Sequence, residues 1–247
     1  AWTMSGTNGM SEHHLDGIFP SDDKFATGLP GFFAAGDAMC TAGSGLLGSG
    51  SAVSASHASS AGQIVGEYVK TRTMPQVGSN DVEAVKDRIF AARMTEQGFS
   101  PRWVTQIMQN TMIPYYVLNV KSESRMQAAL TNILFLREQF CSNLLANDVH
   151  ELRLAHEIDN MCLNAEMKLR ASMFRTESRH NHYREDMPAR DDKNWLAWVI
   201  LKKQGDEMKV SRRMMPKEWR PDLSVPYEER YTVRFPGEME YLKSKQL

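Results

Sequence analysis

Glu177-Ser-Arg-His-Asn-His-Tyr-Arg-Glu-Asp-Met-Pro-Ala-Arg-Asp-Asp-Lys-Asn-Trp-Leu-Ala-Trp198 is the stretch on which the reading of this chain turns. It places three Arg, one Lys, five acidic residues and two His within 22 positions, between apolar runs. Interleaved charge of both signs at that density is by default a solvated helix end. The order here is more specific than that. Glu177, Ser178, Arg179, His182, Arg184, Asp186, Pro188, Arg190, Asp191, Asp192 and Trp195 spell E-S-R-x-x-H-x-R-x-D-x-P-x-R-D-D-x-x-W.

Upstream of this stretch the chain has a helical pattern with almost no glycine from about residue 79 to 205. Asn80 is a plausible cap for a first helix. Further helices are expected near Arg102–Asn110, Glu123–Phe140 and Asp148–Phe174. In the last, Leu154, Ile158, Met161, Ala165 and Leu169 recur at three- and four-residue steps and predict one apolar stripe. The apolar runs at Ile133–Leu136 and Leu196–Leu201 have the length of helix-core segments. Antiparallel helices with short polar loops make a small bundle. After Lys203 a hairpin is expected, with a Gly205-Asp206-Glu207 turn leading into Met208–Met214, and then a Pro-rich tail that wraps a surface.

Residues 1–72 read differently, being rich in Gly, Ser and Ala, and Thr73–Ser79 is a Pro/Gly/Ser linker. Gly17–Pro20 and Gly31–Ala35 read as short strands, and a helix is expected from about Ala52 to Lys70. Strand, glycine turn and small-residue helix are the sequence of a nucleotide-binding α/β layer. The fold class is therefore α+β: an α/β piece over 1–72, a helical bundle domain over 79–205, and a hairpin with extended tail over 206–247.

Composition narrows the function. A net charge of −1 over 247 residues gives no basic footprint for nucleic acid. No apolar run reaches the roughly 20 residues of a membrane span, and no signal peptide opens the sequence. Cys40, Cys141 and Cys162 form neither a CxxC nor a zinc spacing, so no metal site and no iron–sulfur cluster is expected in this chain. They read as buried thiols in a reducing compartment. Sixteen Met fit adaptable core packing.

Two segments of the first part can carry chemistry. Gly28-Leu-Pro-Gly-Phe-Phe-Ala-Ala-Gly-Asp37 ends in Gly36, which lets a ligand approach the backbone, and Asp37, whose carboxylate can accept from sugar hydroxyls; a tight turn with a solvated Asp is the plain alternative. Gly43-Ser-Gly-Leu-Leu-Gly-Ser-Gly-Ser51 leads into a helix whose start offers free N–H groups and a positive dipole end. A flexible linker is the plain alternative there. Gly43–Gly48 matches G-x-G-x-x-G in letters but lacks the acidic residue about 20 positions on, Glu67 lying inside the helix. His57, among small helical residues, reads as a packed or capping His or as an edge contact to a ligand.

The Gly28–Asp37 segment and, downstream of it, the closing stretch resemble, in that order, the C-terminal part of flavoprotein subunits of the succinate dehydrogenase and fumarate reductase family. The resemblance implies FAD as cofactor, held by Gly36 and by Asp37 at the ribityl chain. It implies that Ser49, Gly50, Ser51 and Ala52 open a helix aimed at the N1/O2 edge of the flavin. Arg179 and His182 become the catalytic candidates near the ring, against a salt-bridge web clasping the helical domain. His13 is a third candidate, against an exposed strand-edge pair with His14; in strict register Glu12 takes the family's His position.

Departures from the family matter as well. Its loop carries a His-Gly-Ala-Asn-Arg-Leu-Gly-like run whose Arg binds a substrate carboxylate, and this chain has no Arg between Gly17 and Thr71. The Gly/Ser-rich loop followed by Ser-His57-Ala is loosely similar to the adenylylsulfate reductase alpha branch. The opening pyrophosphate-binding motif and the substrate-capping domain are absent from the sequence. The resemblance therefore implies a separate polypeptide carrying the N-terminal dinucleotide-binding part, and no activity for this chain alone. It also implies a small-molecule substrate, an iron–sulfur electron-transfer subunit, and a cytoplasmic place peripheral to the inner membrane through partners. A non-catalytic helical scaffold docking a redox partner is the alternative from another class.

Overall fold

The two compositions fold as two units, one ending at Val77 and one beginning at Gly78. The computed structural model describes residues 17–39 and 49–245. His13 and Cys40 lie outside the described residues.

In the first unit α1 (Ser49–Lys70) is the long element. Segment 17–39 packs on it as extended pieces and turns. Where two short strands were expected, at Gly17–Pro20 and Gly31–Ala35, there are single bridges, Ile18 with Met39 and Ala26 with Phe33. A strand needs a partner over several residues, and within 17–39 each piece finds one for a single pair. The Asp22 carboxylate accepts from the backbone N–H of Lys24 at 2.8 Å and of Ala26 at 3.1 Å, closing a turn without a ladder. Aromatic edges seat the segment on α1: Phe33 meets Tyr68 and Phe25 meets His57, each with centroids 5.2 Å apart.

The second unit is built on helices. It opens with α2 (Ser79–Met94), whose start is set by Gly78: the Gly78 N–H donates to the Asp81 carboxylate at 3.1 Å. Asn80 lies one residue inside the helix and is not its cap. Then come α3 (Pro101–Met112), the single turn α4 (Tyr115–Leu118), the short strand β1 (Val120–Lys121), α5 (Glu123–Gln139) and α6 (Val149–Phe174). Pro101 at the first position of α3 removes an N–H that no helix bond would use.

The start of α6 is firmly fixed. Asp148 accepts from Glu151 N at 2.8 Å, and the Glu151 carboxylate returns to Asn147 N at 2.9 Å. The core forms where Val104 and Met108 of α3, Met126, Leu130 and Ile133 of α5, and Ile158, Cys162 and Leu169 of α6 meet. On α6 the buried stripe runs Leu152, Ala155, Ile158, Cys162, Ala165 and Leu169, while Leu154 and Met161 are only half-buried. The stripe is rotated from the one expected because the small side chains of Ala155 and Cys162 let α5 come close.

Beyond α6 the chain forms β2 (Tyr183–Arg184), the turn α7 (Asp192–Trp195), and the hairpin β3 (Ala197–Gln204) with β4 (Glu207–Met214). β2 pairs in parallel with β1, Val120 opposite Tyr183 and Lys121 opposite Arg184. Leu196–Leu201, which has the length of a helix-core segment, is almost wholly in β3. A short apolar run does not declare its period; the β-branched and aromatic content and Gly205, at φ +60, decide for a two-residue hairpin turn. Two short helices follow, α8 (Tyr227–Arg230) and α9 (Glu238–Lys245). The architecture is α+β as expected. Among the described residues no helix is long and apolar enough to cross a membrane.

Candidate functional site

The closing stretch of the second unit is a two-residue turn and what that turn organises. Arg179 and His182 exchange backbone hydrogen bonds of 2.8 and 2.9 Å across His180 and Asn181. His180 takes the left-handed conformation at φ +50. The spacing R-x-x-H thus sets the two candidate side chains directly opposite each other.

Glu177 is the hub. Its carboxylate is fully buried and accepts Arg179 in a two-pronged pair at 2.9 and 2.9 Å, the Arg175 guanidinium, and the Asp191 N–H at 2.7 Å. Arg179 reaches on to Asp192 at 2.6 Å, and Asp192 also receives Arg230 and the Tyr231 hydroxyl at 2.6 Å. Burial would lower the pKa of Arg179, but its bonds to Glu177 and Asp192 hold it above the ordinary arginine value. Burial would raise Asp192, yet Tyr231 and Arg179 keep it below the usual carboxylate range. Each charge in the cluster is tied to an opposite one, so the cluster acts as a clamp on the stretch.

A second clamp centres on Arg184, which is fully buried. It forms a two-pronged pair with Asp186 at 3.0 and 2.7 Å and reaches Glu123 at 2.8 Å. It also donates to the carbonyls of Met173 and Arg175, at 3.1 and 3.2 Å, at the end of α6. Asp186 in turn accepts Glu123 N at 2.9 Å, so one Arg–Asp pair joins the start of α5 to the end of α6. A third, around Arg190, binds the tail: its guanidinium lies 4.4 Å over Tyr231 and 4.5 Å over Phe235 and bonds to buried Glu238 at 2.9 Å.

Sequence reasoning missed Arg175, Tyr227, Arg230, Tyr231 and Glu238. The dense Tyr227-Glu-Glu-Arg-Tyr231 run in an otherwise Pro-rich tail was the available signal.

His182 differs from these paired groups. Its Nε2 is buried with no hydrogen-bond partner among the described residues. Burial, with the positive charges of Lys121, Arg175 and Arg184, holds its pKa down to about 3. The ring is neutral at pH 7 and keeps one nitrogen free. Because the folded value lies below the unfolded value of about 6.5, the unfolded chain takes the proton first. The stability is fully present above about pH 6.5 and is lost as pH falls, by up to about 1.4 kcal/mol per unit. His182→Gln should reduce the pH slope of stability between about pH 6.5 and 5, measured by urea unfolding, with a remainder from His180, whose pKa burial also lowers. A slope unchanged by the substitution would contradict this assignment.

In the first unit Gly36 takes φ +62 in the 3-10 turn Gly36–Ala38. A Cβ there would meet Ser54 Oγ of α1 at 2.9 Å, so glycine is required for the turn to sit on the helix. The Gly36 N–H donates to His57 Nδ1 at 3.1 Å, which makes His57 a fixing residue for the turn and leaves that N–H unavailable to a ligand. Asp37 follows within the same turn, and Ser49, Gly50, Ser51 and Ala52 form the first residues of α1. The side chains of Asp37 and of 49–52 lie outside the described residues. The first turn of α1 carries no acidic residue, so its positive end is not offset by its own side chains.

With this geometry in hand, comparison with known proteins gives one family. Its sequence model, described as fumarate reductase flavoprotein C-term, matches residues 105–231, just over half of the chain and all of the clamp from Arg175 to Tyr231. An uncharacterized FAD-dependent oxidoreductase of Methanocaldococcus jannaschii is 24% identical over 194 residues, covering 77% of this chain and 35% of that protein. A fumarate reductase flavoprotein subunit of Mycobacterium tuberculosis is 26% identical over 208 residues, covering 78% and 36%. The chain spans about a third of the length of these curated relatives. Among solved structures, Mycobacterium smegmatis Sdh1 in complex with UQ1 superposes with a TM-score of 0.73 at 26% identity, over 90% of this chain and 39% of that one. A quinol-fumarate reductase with menaquinol molecules shares the fold, with a TM-score of 0.74 at 20% identity, over 84% and 38%.

Proposed function

Because the chain belongs to the fumarate reductase flavoprotein C-terminal family, we propose that it is the C-terminal part of an FAD-dependent oxidoreductase flavoprotein subunit. Its first unit supplies the flavin-ring side of the FAD site and its second unit is the helical domain. The dinucleotide-binding part lies in sequence other than these 247 residues. Electrons pass between a small substrate and an iron–sulfur partner, through which the enzyme attaches peripherally to a membrane.

The observation that carries this reading is the Gly36–Asp37 turn, bonded to α1 through His57 and lying too close to Ser54 for a side chain at position 36. The residues fit a flavin. The turn is fixed by the fold, an acid follows it, and the helix beside it opens with Ser, Gly, Ser and Ala and no acidic side chain. Asp37 would hold ribityl hydroxyls, and the first N–H groups of α1 would face the electron-rich edge of the ring. Bound FAD supplies two-electron exchange with the substrate and one-electron exchange with the partner. Arg179 acts as a positioning residue through Glu177 and Asp192, and His182 presents its neutral, free nitrogen. Residues 17–71 contain no Arg that could bind a succinate-type carboxylate.

The test is Ser51→Asp in the assembled flavoprotein. A negative charge in the first turn of α1 disfavours the reduced ring, so the flavin midpoint potential should move negative with FAD still bound. A potential indistinguishable from wild type would count against the placement. A non-catalytic scaffold is the second reading, favoured by the pairing of Arg175, Arg179 and Arg230 with the Glu177 and Asp192 carboxylates.

A further inference from the structure

Where α5 ends against the middle of α6, the structure brings together two thiols that the flavin reading does not use. Cys141 lies in the 3-10 turn Cys141–Asn143 after α5, and Cys162 lies on the buried stripe of α6. Their sulfurs are 4.0 Å apart, Cys141 donating its S–H to Cys162. Both are free thiols; Cys162 is fully buried and Cys141 is partly exposed.

The surroundings suit sulfur chemistry. Arg137, one helical turn before Cys141, pairs with Glu166, one turn after Cys162, and Glu166 is held in addition by Arg170 at 2.7 Å. The Arg137 Nε is buried and has no hydrogen-bond partner among the described residues, a spare donor in this cluster. The hydrogen bond between the sulfurs raises the Cys141 thiol and lowers that of Cys162, and the Arg137 charge draws both down against the opposing charge of Asp159.

We propose that Cys141 and Cys162 form a reversible dithiol–disulfide pair, oxidised by hydrogen peroxide or by a low-molecular-weight disulfide. Exposure rather than acidity sets the order: Cys162 is the more acidic thiol but is fully buried, so the oxidant meets Cys141 and the Cys162 thiolate resolves. With peroxide, the Cys141 sulfur attacks one oxygen, the O–O bond breaks, and a sulfenic acid and one water form. The Cys162 thiolate then attacks the Cys141 sulfur and expels hydroxide, which takes the released proton and leaves as water. In total two thiols lose two electrons and two protons, and one peroxide becomes two waters. With a small disulfide, Cys141 displaces one small thiol to give a mixed disulfide and Cys162 displaces the second. Closing the bond brings the sulfurs from 4.0 Å to about 2.05 Å, a movement accommodated by the short turn that carries Cys141. The charge of Arg137 stabilises the sulfenate and the attacking thiolate.

The experiment treats the full chain with stoichiometric hydrogen peroxide, then blocks free thiols and maps peptides without reduction. Reactive thiols should fall from the three of the sequence to one, with a Cys141–Cys162 linkage that dithiothreitol reverses and a raised Tm of the oxidised form. Cys162→Ser under the same treatment should leave a Cys141 sulfenic acid that dimedone traps. Cys141 passing to sulfinic acid while Cys162 stays reduced, or a linkage involving Cys40, would overturn the proposal.

Discussion

Glu177→Ala is expected to destabilise the second unit by roughly 3–5 kcal/mol, the range for removing one partner of a buried ion pair. The reason is not the attraction lost but what remains. Arg175 and Arg179 stay half-buried with positive charge facing positive charge, and the Asp191 N–H loses its acceptor. Replacing both sides, as in Glu177→Leu with Arg179→Met, should recover a large part of the loss, because whole buried pairs are often close to neutral against apolar replacements. Urea unfolding of the single and double variants measures both. A loss under about 1 kcal/mol for Glu177→Ala would mean that water enters and solvates the cluster.

The second large effect is on the cofactor. Asp37→Ala in the assembled flavoprotein should weaken FAD binding about 10- to 100-fold, from loss of a charge-assisted hydrogen bond of about 1.5–3 kcal/mol. Flavin content after reloading the apoprotein at limiting FAD is the readout. Gly36 is less informative as a target. Its substitution strains φ +62 and clashes with Ser54, so lost flavin would follow from a displaced turn alone. Asp37→Ala leaves that backbone as it is, and unchanged occupancy would remove Asp37 from the site.

The sequence made some of this visible and hid the rest for physical reasons. The helix of Val149–Phe174 was legible because its period and its Asp148 cap are local properties. Its buried face was legible only to within a fraction of a turn, since whether Cys162 or Met161 faces the core depends on how near α5 can come. Leu196–Leu201 was ambiguous because a six-residue apolar run fits either period. The closing stretch stood out by its order, yet its chemistry was not readable from it. Arg184 depends on Glu123, 61 residues away, and Asp192 on Tyr231, 39 residues away. Ion-pair partners at that separation are chosen by the fold, not by spacing. Gly36 was identifiable as a turn glycine, whereas its reason, the approach of Ser54 and the bond to His57, needed α1 in place. The two-residue turn R-x-x-H was in principle readable, but a non-glycine residue at positive φ, here His180, is not what turn preferences lead one to expect.

The clamp and the turn have different parts in the protein. In the second unit the charges are tied to one another and to helix ends, which fixes the geometry of the closing stretch, while His182 Nε2 stays without a hydrogen-bond partner among the described residues. In the first unit the fold fixes a turn and a helix start suited to an electron-rich ring. The central claim is that these serve a flavin. The visible absorption spectrum of the protein, purified natively from its source together with whatever sequence completes it, tests that most directly. A flavin band is expected, accompanying polypeptide that carries a dinucleotide-binding motif. A colourless, folded protein in good yield, which does not take up added FAD, would contradict it and leave a scaffold in its place.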